Sequence, residues 1–113
     1  MKSPQVLSDN YPQNIDSEDS NNEVQLQNKI YQNIIHFLEN DKIYTNPYLS
    51  IHDLSEKVGC NEKYVSSAIS TCSKVNYSYL INSYRINEAK RLIYNNQFES
   101  LNEVMASSGF NSR

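Results

Sequence analysis

This 113-residue sequence predicts an all-α domain, on three observations. Apolar residues recur at three- and four-residue steps in several runs, as in helices with one buried face. Only 2 glycines and 3 prolines occur, too few for a turn-rich β architecture. The third is punctuation: Ser50, Asn61 and Ser100 stand where helices begin, and Gly59 and Gly109 where helices end. The length suits one small domain and is too short for two independent cores. With 38% hydrophobic and 20% charged residues, that domain has a modest core.

The elements follow in order. Residues 1–22 have no sustained period, two prolines and clustered acids, and read as a disordered acidic tail or linker. The helical domain is expected over 23–113. A first helix is predicted over 23–40, with Ile30, Tyr31, Ile34, Ile35 and Leu38 on one stripe. "DKIYTNPYL" then breaks the pattern, because Pro47 drives Asn46 out of helical geometry. A short helix over 51–58 ends at Gly59, and a third spans 62–72 behind its Asn61 cap. The fourth, over 78–95, has Leu80, Ile81, Tyr84, Ala89, Leu92 and Ile93 as its apolar side. A fifth runs over 101–108 and stops at Gly109.

Several function classes are disfavoured. No apolar run approaches the roughly 18 residues that span a bilayer, and no signal-peptide core follows Met1. An intracellular chain without membrane contact, or a piece of something larger, is the expectation. Cys60 and Cys72 lack the CxxC and paired-His spacings of a zinc site, so reduced thiols are expected and no metal or cofactor. His36 and His52 have no nucleophile or paired carboxylate at catalytic spacing, so no catalytic residue is assigned. Asn76-Tyr77-Ser78 matches a glycosylation sequon, which means nothing without a secretory signal. The net charge of −3 is confined to the tail, where Lys2 faces Asp9, Asp16, Glu18 and Asp19. From Glu23 onward acids and bases cancel, leaving a neutral domain.

The most informative feature is an internal repeat. "SIHDLSEKVGCNEK" begins at Ser50 and "SLNEVMASSGFNSR" at Ser100. Each has an acid three residues after the Ser, Asp53 or Glu103, resembling a capping box, with Asp expected to be the poorer partner. Each then carries an apolar residue, Leu54 or Val104, and reaches Gly nine residues after the Ser, with Asn two residues later. Helix, glycine turn, helix is the plan of a helix-turn-helix. Such a unit braces its first helix on the DNA backbone and lays its second in the major groove.

In the first copy, Val65, Ala68, Ile69 and Cys72 mark the buried side of the second helix. Lys63, Ser67 and Ser70 lie opposite, with Ser66 at the edge. These small or donor-bearing side chains can approach base edges or phosphates. An ordinary solvated face is the alternative reading.

From about residue 30 to 113 the chain resembles the DNA-binding domain of AraC/XylS-type transcription regulators, most closely versions in large bacterial sensor-regulators. "NPYLSIHDLSEKVGCNEKYVSSAIS" looks like the first helix-turn-helix of that family. "INSYRINEAKRL" looks like its linker helix, and "SLNEVMASSGF" like the opening of its second unit. The resemblance implies a homeodomain-like helix-turn-helix fold of AraC type, with the first unit and linker helix complete and the second unit incomplete. It implies a cytoplasmic transcription regulator domain with double-stranded DNA as partner, and a sensor or dimerisation domain outside this chain. Carried over, Lys63, Ser66, Ser67 and Ser70 take base-facing positions, and Arg113 is the first such residue of the second unit. Arg85 on the linker helix is a candidate phosphate contact, or a structural residue pairing with Glu88 or Glu56.

The family continues past this point through a second recognition helix, so a C-terminally truncated fragment that binds DNA weakly is expected. Each good base contact is worth about 1–3 kcal/mol. Two further departures lie in the second copy. Met105 stands where the family packs a small residue, and Ser108 where it has an aliphatic one. Overpacking at such a position costs about 1–3 kcal/mol. The alternative is a decayed remnant, or a helical interaction module without DNA-binding activity.

Overall fold

The computed structural model describes residues 20–110, in five helices and a single-turn 3-10 segment, with no strand among them. Helix α1 spans Ser20–Glu39, and the 3-10 turn Ile43–Thr45 follows it. Helices α2 (Ile51–Val58), α3 (Glu62–Ser73), α4 (Tyr77–Tyr94) and α5 (Leu101–Ser107) complete the order. The predicted all-α class holds among the described residues, and helix bounds differ by at most three residues, with 51–58 reproduced at both ends. Most of the acidic segment assigned to 1–22 lies outside the described residues, although α1 already begins at Ser20.

The apolar stripe of α1 explains its position. Ile30, Ile34 and Leu38 recur every four residues and are fully buried. They face Leu54 and Val58 of α2, Val65, Ala68 and Ile69 of α3, and Leu80 and Ile81 of α4, in one cluster. Burying each such side chain contributes about 1.5–3 kcal/mol. Helix α1 lies chiefly along α3, α2 packs on α3, and α5 packs on α4.

Tyr44 joins this core from the 3-10 turn, where no periodic pattern announces it. Its ring lies 5.6 Å from that of Tyr84, and its hydroxyl reaches Glu88 at 3.5 Å. Glu88 is nearly buried, bonded twice by Arg91 at 3.0 and 2.8 Å, with Lys42 at 3.7 Å. The Arg91 guanidinium holds the Glu88 carboxyl below the usual carboxylate range; Lys42 and the Tyr44 hydroxyl reinforce this against the opposing effect of burial. Tyr77 donates to the Leu49 carbonyl at 3.1 Å, and burial pushes its phenol up to about 12.

Helix α4 differs from its expected pattern. Leu80, Ile81, Glu88 and Leu92 face inward, whereas Ile93 is exposed alongside Tyr79, Ile86 and Tyr94. Its outward face is therefore apolar too. Ile93, Tyr94, Lys90 and Asn87 line an open recess of about 460 Å³.

The second copy of the repeat docks by its end. Gly109 adopts φ +96°, as Gly59 adopts +88° in the first copy. A Cβ on Gly109 would lie 2.1 Å from the Tyr44 carbonyl oxygen and 2.9 Å from Arg85 Nε. Glycine is required there for both backbone conformation and space. Val104 is buried, but Met105 is 39% exposed, so the expected overpacking does not arise among the described residues. Ser108 is fully buried, and its hydroxyl has no hydrogen-bond partner among the described residues.

Candidate nucleic-acid interface

The α2–turn–α3 unit is assembled by local hydrogen bonds. Ser50 Oγ accepts from the Asp53 amide at 3.1 Å, and Asp53 Oδ2 accepts from the Ser50 amide at 3.2 Å. Both halves of the capping box are therefore made. Gly59 closes α2 in the left-handed region, its N–H donating to the Ser55 carbonyl. Cys60 is buried in the turn, and Asn61 Oδ1 caps α3 by accepting from the Tyr64 amide at 3.0 Å.

The second capping box departs from expectation. Ser100 Oγ accepts from the Glu103 amide at 3.1 Å, but the Glu103 carboxylate takes the Glu99 amide, not that of Ser100. The longer Glu side chain overshoots by one residue, whereas the shorter Asp53 closes its box. Asp is thus the better partner in this chain, contrary to the usual preference.

Anchored by Val65, Ala68 and Ile69, α3 turns its opposite side outward. Lys63, Ser66 and Ser70 are exposed there, and Thr71, which the sequence reading omitted, joins them. Ser67 is only half exposed, because Gln27 Nε2 of α1 donates to its hydroxyl at 2.7 Å. Ser66 and Ser67 thus exchange the places expected of them: Ser66 is open and Ser67 is the edge. Cys72 lies beneath that edge, its thiol 3.3 Å from Asn28 Oδ1, and burial pushes the thiol up. No helical period relates Gln27 to Ser67, since their contact is made by the packing of α1 on α3.

The rim beside Lys63 is acidic. His52 on α2 places Nε2 3.2 Å from Glu56 and Nδ1 3.1 Å from Glu62. The Glu62 hydrogen bond, followed by the Glu56 charge, raises the His52 pKa above its ordinary value. His52–Glu56 is an i,i+4 pair legible in the sequence; the link to Glu62 depends on the angle between α2 and α3.

Arg85 lies elsewhere. Its Nε donates to the Tyr44 carbonyl at 2.8 Å and its Nη2 to the Asn46 carbonyl at 2.9 Å. It ties α4 to the segment between α1 and α2, bonding carbonyls and not Glu88 or Glu56. Those two bonds give Arg85 a structural role between these segments. Arg113 lies outside the described residues.

No three His, Cys, Asp or Glu side chains converge on a metal-binding geometry among the described residues. No described helix is long and apolar enough to cross a membrane. The chain matches no protein-family model, no curated protein and no solved structure.

Proposed function

We propose that this chain is a transcription-regulator domain that binds double-stranded DNA through the α2–turn–α3 unit, on the homeodomain-like plan of the AraC/XylS type. The carrying observation is the pairing of a capped, glycine-turned helix couple with a second helix whose inner side is buried and whose outer side offers Lys63, Ser66 and Ser70. Helix α3 enters the major groove, where serine hydroxyls serve either donor or acceptor edges and Lys63 contacts phosphate or guanine. Thr71 extends that surface, and Ser67 contributes only if Gln27 releases it. With one basic side chain and two carboxylates at the rim, affinity is low and its salt slope is shallow, about 0.9 per phosphate neutralised. The proposal includes no catalysis.

Titrating the chain against a labelled duplex at several salt concentrations tests this. Lys63→Ala lowers affinity and flattens the log–log salt slope by about 0.9. Lys90→Ala, a change of equal charge on the outward face of α4, leaves both nearly unchanged. Equal losses for the two variants would refute a reading face on α3.

The outward apolar residues of α4 favour a second reading. Tyr79, Ile86 and Ile93 fall seven residues apart on one exposed line, which suits a helical interaction module. Under that reading the folded chain shows no duplex affinity even at low salt.

A further inference from the structure

We propose that His52 makes DNA binding by the α2–α3 face pH-dependent: its imidazolium cancels part of the acidic rim formed by Glu56 and Glu62, so the face holds DNA more tightly with His52 protonated than neutral. This rests on the DNA-binding reading above. The geometry carries it. Both ring nitrogens face carboxylate oxygens, Nε2 toward Glu56 at 3.2 Å and Nδ1 toward Glu62 at 3.1 Å. A neutral imidazole has one donor and one acceptor nitrogen, and only the cation can donate to both partners. The charged groups facing His52 are Glu56 and Asp53 from its own helix and Glu62 from α3.

The position gives this pair of contacts its consequence. Glu62 occupies the first turn of α3, immediately before Lys63. With His52 neutral, the cluster of Asp53, Glu56, Glu62, His52 and Lys63 carries two net negative charges. Protonation reduces this to one. A phosphate backbone approaching the same turn meets more repulsion in the first state than in the second. Approaching phosphates also favour the imidazolium, so binding takes up a proton.

The neighbouring carboxylates set the useful range. They hold the ring protonated to a pH above that of a free histidine. The sign follows: affinity is highest at low pH and falls as pH rises through the His52 titration.

The test is fluorescence anisotropy of a short mixed-sequence duplex titrated with the chain from about pH 5.5 to 8.5 at fixed salt, repeated at several salts. Wild type should weaken about threefold across the range, the effect of one unit charge at roughly 7 Å in water. Its salt slope should be steeper at the acid end by about 0.9. His52→Gln should remove both dependences, while His36→Gln, in the last turn of α1, should keep them. A pH profile that persists in His52→Gln, or a flat one in wild type, would overturn the proposal while leaving DNA binding standing. NMR titration of the His52 ring, with and without Glu62→Gln, separates the remaining case. If the ring midpoint falls in Glu62→Gln but no duplex binds at any pH, the DNA-binding reading fails and the proposal falls with it.

Discussion

The buried hydroxyl of Ser108 predicts a stabilising substitution at a side chain that makes no hydrogen bond among the described residues. Its side chain is fully buried at the end of α5, and its oxygen has no partner among the described residues. Desolvating a hydroxyl without a compensating bond costs about 1–3 kcal/mol. Ser108→Ala removes the oxygen and leaves a gap of one atom, whose lost contacts offset part of the gain. A net stabilisation of about 1 kcal/mol remains, which raises the melting midpoint by about 4–8 °C in a domain of this size. The first copy supplies the control. Ser55 is also buried, but its Oγ donates to the His52 carbonyl at 2.7 Å. Ser55→Ala should therefore destabilise, by about 0.5–1.5 kcal/mol. Thermal and urea melts followed by circular dichroism compare the two. A Ser108→Ala midpoint at or below wild type, or equal shifts for both serines, would refute the reasoning.

Two other perturbations have defined outcomes. Gly109→Ala places a methyl group into the Tyr44 carbonyl at φ +96°. It should cost more than about 1 kcal/mol and raise amide exchange in α5 before that in α1. The Glu88–Arg91 pair gives an acid dependence. Because the folded Glu88 pKa is depressed, its contribution is present above the unfolded value near about 4.3 and is lost as pH falls through the folded one. Urea midpoints of wild type should fall across that range, whereas Glu88→Gln should be less stable at neutral pH and show a flatter decline.

Much of the fold was legible because its helices announce themselves locally. Ile30, Ile34 and Leu38 repeat with the helical period, and Ser50, Gly59 and Asn61 terminate or cap by bonds within a few residues. What escaped was set by tertiary packing. Tyr44 is a core residue supplied by a turn, Ile93 faces outward because α4 buries the arc containing Glu88, and Ser67 is covered by Gln27 forty residues away. The sequence of α4 suggests a charged partner for Arg85, Glu88 or Glu56, or a phosphate. Its partners are carbonyl oxygens, which carry no signature in residue identity.

The seat of Gly109 has a consequence for the order of folding. The contact between Gly109 and Tyr44 closes a loop across 65 residues of sequence separation, so its chain entropy is lost for only a small local reward. The caps and the α1–α3 stripe, by contrast, can form without it. Docking of α5 therefore belongs to the descending side of the folding barrier. Perturbing it acts mainly on how fast the molecule comes apart, with little effect on how fast it assembles. The second copy of the repeat then acts as a latch on kinetic lifetime, fastened after the reading helix is already in place.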